Sequence, residues 1–166
     1  MGAIISSHNT KVLSPEPLTA PTSPSCNCRR PAQCPLNGEC KISCIVYKAT
    51  VTAPNKPTMS YFGLTEGEFK YRYNNHTHSF RHEGSTKDTE LSKYLWELKG
   101  QDIEGEVKWS IVHRAASYKC GSRRCDLCLS EKLAIAMADP NTTLNKRSEI
   151  ISKCRHRKKY ACENVR

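Results

Sequence analysis

The sequence predicts an α+β fold, a small three-stranded antiparallel sheet flanked by helices and preceded by a cysteine-rich knuckle. Three patterns carry that prediction. Ile45, Tyr47, Ala49 and Val51 alternate with Val46, Lys48 and Thr50, and Val107, Trp109 and Ile111 alternate with polar neighbours; a two-residue period marks a strand with one buried face. Leu91, Leu95 and Leu98 recur at helical spacing, which lines one side of a helix. Cys26, Cys28, Cys34, Cys40 and Cys44 crowd together ahead of the first strand. At 166 residues the chain can build one domain with a modest core.

In order, residues 1–25 carry Pro15, Pro17, Pro21 and Pro24 among Ser and Thr and read as a disordered leader. Residues 26–44 form the knuckle, residues 45–146 the main domain and residues 147–166 a basic tail. Ile45 to Val51 is the first strand, and Ala53-Pro54-Asn55-Lys56-Pro57 turns the chain. Met59 to Leu64 returns beside it as a hairpin. A helix starts after Glu66-Gly67, with Phe69, Tyr73 and Phe80 on its apolar stripe and Glu68, Arg72 and His76 one turn apart along its edge. Asp88-Thr89 caps a second helix that Gly100 ends. Val107 to Ile111 is the third strand. Asp126 caps a third helix running to Ala138, where Asp139-Pro140 stops it. A short helix from Ser148 to Cys154 leads into Arg155-His156-Arg157-Lys158-Lys159.

The net charge is +10, which favours a polyanion, because each phosphate neutralised releases condensed counterions. Nucleic acid is the expected partner. Lys146, Arg147, Lys153, Arg155, Arg157, Lys158 and Lys159 are opposed only by Glu149, a pattern suited to gripping a nucleic-acid backbone without reading bases. The same run also fits a solvated surface or a nuclear import signal. No apolar run reaches the length of a membrane span, and Ala3-Ile4-Ile5 is too short for a secretory core. Met1-Gly2-Ala3-Ile4-Ile5-Ser6 fits the myristoylation pattern, but one acyl chain holds a membrane only marginally. A nuclear or cytoplasmic protein, not secreted and without a membrane partner, is expected.

In that compartment the 10 cysteines are expected to bind metal rather than form disulfides. Four of Cys26, Cys28, Cys34, Cys40 and Cys44 can enclose a structural Zn2+, with Asn37-Gly38 allowing the tight loop. Cys120, Cys125 and Cys128 are candidate ligands of a second zinc, with Cys154, His156 and Cys162 as further donors tying the third helix to the tail. The Cys120, Cys125, Cys128 spacing also fits a ferredoxin-like cluster, and Cys125 and Cys128 could instead be core thiols.

Tyr47, Tyr61, Arg72, His76 and Glu131 offer two phenols, a guanidinium, an imidazole and a carboxylate. Together they can orient a water, hold a phosphate and bind one divalent cation. Separately, the tyrosines are ordinary strand aromatics, and Glu131 could pair with Lys132.

Ile45-Val46-Tyr47 followed by Tyr61-Phe62-Gly63, then Arg72, His76, Glu131 and a late Asn145, resembles the GIY-YIG nuclease family over residues 45–145. Ile45 stands where that family has glycine. The knuckle, Leu91-Ser92-Lys93-Tyr94-Leu95-Trp96 and the Cys-His-Arg tail further resemble endonuclease modules of retrotransposons, including Penelope-like elements. The resemblance implies a metal-dependent endonuclease that hydrolyses DNA, with Mg2+ on Glu131, which needs only one or two carboxylates beside phosphate oxygens. Tyr47, Tyr61, Arg72 and His76 would then be catalytic, Asn145 would join the nucleic-acid contacts, and a reverse transcriptase or other element-encoded protein would be the partner. The rival reading is a catalytically inactive, zinc-bearing nucleic-acid-binding module.

Overall fold

The computed structural model describes residues 26–85, 89–119, 124–154 and 156. The leader, Asp88, Cys120, Arg155, Arg157, Lys158, Lys159 and Cys162 lie outside them. Three antiparallel strands, β1 (Ile45–Thr52), β2 (Met59–Thr65) and β3 (Glu106–Arg114), form one sheet in the order β2-β1-β3. The helices are α1 (Phe69–Arg81), α2 (Glu90–Gly100) and α3 (Asp126–Met137). The expected α+β architecture and element order are present.

The alternation in β1 places Ile45, Tyr47, Ala49 and Val51 in the main core with Tyr61, Phe69, Leu91, Leu95 and Leu98. α1 and α2 therefore cover one face of the sheet. Val46 points the other way and is also fully buried, in a smaller cluster with Cys125 and Leu127 of the α3 region. The central strand is thus covered on both sides at its start. On edge strand β3 every second residue is exposed, the one-faced pattern the sequence predicts. The register slips between Val46 and Tyr47, which face His113 and Ile111 of β3, so Val112 is the extra residue of a bulge.

Thr89 caps α2, its hydroxyl accepting from the Ser92 N–H at 3.1 Å. The cap of α3 is Cys125 and not Asp126. The Asp126 carboxylate instead accepts from Ala116 N–H and meets His113 Nε2, both at 3.2 Å, so it fastens α3 to the end of β3. No helix among the described residues is long and apolar enough to cross a membrane.

The knuckle turns through Asn37 and Gly38, both at positive φ (48° and 98°), as the tight loop requires. Its carbonyls receive the first N–H groups of α1, Phe69 to Ile42 at 2.8 Å and Lys70 to Cys40 at 2.7 Å. Glu68 makes no side-chain cap, so the knuckle satisfies donors that would otherwise be unpaired.

Beyond α3 the chain returns along the free edge of β2, where Ser60 bonds Thr142 and Leu144 at 2.8 Å each. In place of the expected helix from Ser148 to Cys154 there is a single 3-10 turn, Arg147–Glu149. Ile151 is 83% exposed, so a helix here would have no apolar face to bury.

Candidate active site

Tyr47 is fully buried in the centre of the sheet, and its hydroxyl lies between two side chains of α1. His76 Nε2 is 2.8 Å away, and Arg72 Nε donates to the oxygen at 3.1 Å. The four-residue spacing stacks Arg72 and His76 on one helix face. A guanidinium can only donate. The phenol oxygen therefore accepts from Arg72, and with His76 in its Nδ1–H tautomer it sends its own hydrogen to Nε2. In that tautomer one lone pair of the phenol oxygen is left over.

Burial, with the Arg72 charge adding to it, lowers the His76 pKa to about 3, so the imidazole is neutral at physiological pH. Burial raises both tyrosines; Arg72 opposes this and the Glu131 charge adds to it. For Arg72 itself burial acts against the charge, but Tyr47 and Tyr61 outweigh it and hold the pKa up. Glu131, half-buried on α3, is thus within electrostatic reach of both phenols. Four expected residues form one cluster on the α1 side, and the charge of the fifth, on α3, acts on the two phenols. Lys132 donates to the Ser152 carbonyl.

Gly63 faces Tyr47 across the hairpin. A Cβ there would stand 2.5 Å from the Tyr47 hydroxyl oxygen and 2.6 Å from Cζ, well inside van der Waals contact. The phenol reaches its partners because this position has no side chain. Trp109 packs beside the site, its ring 5.2 Å from His76 and 5.7 Å from Tyr47. The sequence marked it only as an apolar β3 residue.

Asn145 differs from the expectation of a nucleic-acid contact. It is 7% exposed; its Oδ1 accepts from Phe62 N–H at 2.7 Å and its Nδ2 donates to Phe62 C=O at 2.8 Å. Nδ2 also donates to Glu149 at 2.9 Å. The carboxamide is spent on β2 and the following turn, so Asn145 holds the edge of β2 beside Tyr61 and Gly63. Lys146 pairs with Glu90 at 2.9 Å, while Arg147 and Lys153 are exposed. A groove of about 430 Å3 between the knuckle and α1 is lined by Arg29, Arg30, Gln33, Lys70, Tyr73 and Asn74, with no acidic side chain among them.

Two groups of thiols can hold a metal ion such as zinc. In the knuckle the sulfurs of Cys26, Cys28, Cys34 and Cys40 lie within 4.8 Å of one another. Although burial opposes it, N–H groups of Leu36, Gly38 and Cys40 bring the Cys34 thiol down to about 7. Of the five candidates Cys44 stands apart. It sits at φ 53° with its backbone bonded to Glu66 and Ala115, and its sulfur faces the Glu66 carbonyl and Ser117. The second group is Cys125, Cys128, Cys154 and His156, also within 4.8 Å. The donors beside Cys125 and Cys128 come from the tail. Neither group contains Glu131.

Comparison of the chain with family models, curated proteins and solved structures finds no match.

Proposed function

We propose that the chain is a GIY-YIG-like, Mg2+-dependent endonuclease that hydrolyses DNA, as the nuclease of a mobile element working beside a reverse transcriptase would. The observation that carries this is the Tyr47 hydroxyl held between Arg72 and His76 over Gly63. A buried tyrosine and histidine linked to a half-buried arginine would be a costly means of packing a core. The arrangement suits a site that must move a proton beside an anion.

The spare lone pair of Tyr47 can accept a hydrogen bond from a water. When that water attacks phosphorus its proton must leave, and the path on offer is onto the Tyr47 oxygen while the phenol proton passes to His76 Nε2. With His76 at about 3, protonating it from solution at pH 7 costs about 5 kcal/mol in the resting site. A phosphate bound to Arg72 would offset the charge that helps depress His76, so substrate itself readies the relay. Arg72 would also hold the charge that develops on the phosphate. The donor set fits Mg2+, a hard cation that needs few carboxylates; Glu131 would hold it, and when bound the ion stabilises charge on the departing oxygen. Zinc in the knuckle would be structural. Arg29, Arg30 and Lys70 in the groove, with the exposed Arg147 and Lys153, supply cations for the DNA backbone.

Incubating the protein with plasmid DNA tests the reading. Cleavage is expected with magnesium and not with EDTA, and Glu131→Gln should abolish it while DNA affinity stays near wild type. DNA binding by the wild type without cleavage under any divalent ion would leave the inactive binding module in its place.

A further inference from the structure

Cys125 and Cys128 stand at the first turn of α3, and Cys154 and His156 arrive from the tail. His156 Nδ1 is 3.2 Å from Cys128 Sγ, 3.4 Å from Cys125 Sγ and 3.8 Å from Cys154 Sγ, and the Cys128 and Cys154 sulfurs are 3.5 Å apart. Tetrahedral zinc with bonds of about 2.3 Å to sulfur and about 2.0 Å to nitrogen requires its ligands to lie roughly 3.5–3.8 Å from one another. Those four pairs already have nearly that spacing, and all four donors lie within 4.8 Å of one another. Three thiols and an imidazole suit zinc and exclude magnesium or calcium as the preferred ion.

The far nitrogen of the same ring meets a carboxylate. His156 Nε2 is 3.8 Å from Glu66 Oε2, and a ligating histidine commonly turns its second nitrogen to such a group, which sets its tautomer and orientation. Glu66 lies between β2 and α1, and its own C=O accepts from Cys44 N–H at 3.2 Å, so it belongs to neither α3 nor the tail. His156 and Cys125 are 6% and 8% exposed. The cluster adjoins the small apolar group of Val46 and Leu127.

We propose that Cys125, Cys128, Cys154 and His156 bind one zinc ion, that Glu66 is the outer partner of His156, and that the ion fixes the helix that carries Glu131. Glu131 is one turn beyond Cys128, so rotation or fraying of the first turn of α3 would move its carboxylate relative to Tyr47 and Tyr61. The site joins three segments far apart in sequence: the β2–α1 junction, the start of α3 and the tail. The effect on Glu131 rests on the nuclease reading; the metal site does not.

Zinc content of the full chain, purified under reducing conditions, tests the site. Two ions per chain are expected for the wild type, one for Cys128→Ser and one for Cys26→Ser. Cobalt substituted into Cys26→Ser should give the visible spectrum of a tetrahedral three-thiolate, one-imidazole site. No zinc in Cys26→Ser, or an unchanged zinc count in Cys128→Ser, overturns the site. Should Cys128→Ser fail to fold, Glu66→Gln serves: competition with a chromophoric chelator should show about 10–100-fold weaker binding of one of two ions, and unchanged binding removes Glu66 from the proposal. In cleavage assays Glu66→Gln should raise the magnesium needed for half-maximal rate more than it lowers the maximal rate; the reverse pattern overturns the role in placing Glu131. Two zinc ions in a chain that never cleaves would sink the nuclease reading and leave the site standing. An active nuclease whose Cys26→Ser variant holds no zinc would do the opposite.

Discussion

The two faces of the sheet are held by different chemistry. On the α1 and α2 side, Phe69, Leu91, Leu95 and Leu98 close over Ile45, Tyr47, Ala49 and Val51, with the Phe69 ring edge to face on Tyr47 and Trp109 tilted beside it. On the α3 side a smaller cluster is built on Val46, Cys125 and Leu127, Ile135 of α3 is also buried, and the cysteine–histidine group lies beside the cluster. A face with the smaller apolar cluster gains less from the hydrophobic effect. Chelation can supply what burial does not. The phenol side is therefore shaped by packing, while the α3 side carries a cysteine–histidine group that could hold a metal ion.

The largest effect should come from removing those ligands. A structural zinc contributes on the order of 10 kcal/mol where folding and binding are coupled. Cys128→Ser should accordingly speed amide hydrogen exchange in α3 and around Cys154 while leaving β1 and α2 protected; uniform acceleration across both faces would break the contrast.

Acid should act on the other face. The pKa of His76 falls from an ordinary 6.5 to about 3 on folding, so between those values the unfolded chain binds more protons than the native one. Its contribution is complete above pH 6.5 and declines as the pH falls toward 3, by about 1.4 kcal/mol per pH unit and at most about 5 kcal/mol in all. Urea unfolding of the wild type and His76→Gln between pH 7 and 4.5 should show a shallower pH slope in the variant. Parallel slopes would mean that His76 is not the buried neutral base described.

Gly63→Ala should push the Tyr47 hydroxyl off its partners, cutting kcat/KM about 100-fold and costing about 1–3 kcal/mol of stability from overpacking. Plasmid-cleavage kinetics and thermal melts on one preparation separate the two. Asn145→Ala should be the mildest. It leaves the Phe62 N–H without its partner, a loss of about 1–3 kcal/mol visible in denaturant unfolding.

The sequence was most informative where residues are near in the chain or keep a strict period. Alternation fixed β1 and β3, and helical spacing put Arg72 and His76 on one face. The knuckle cysteines are mutually close in sequence, so their convergence was expected, although only the backbone turn at Cys44 decided which thiol is left out. Cys154 and His156 appeared only as further donors, because meeting Cys125 and Cys128 depends on the return of the chain along β2. Asp126 has the chemistry of a helix cap, yet β3 claimed its carboxylate. Asn145 looked like a surface contact since nothing local reveals that its carboxamide bridges the two backbone polar groups of Phe62. Each of these outcomes was set by tertiary contacts.

The hydrogen bonds from Phe69 and Lys70 to knuckle carbonyls bear on how this protein can be cut and reused. A truncation at Ile45 would spare every residue of the phenol cluster and still begin its principal helix with two bare donors. A fusion enzyme built on the sheet alone would inherit that frayed end, one turn from Arg72. Residues 26–44 should travel with any transplanted version, and growth media low in zinc should yield a protein whose α1 start is poorly defined.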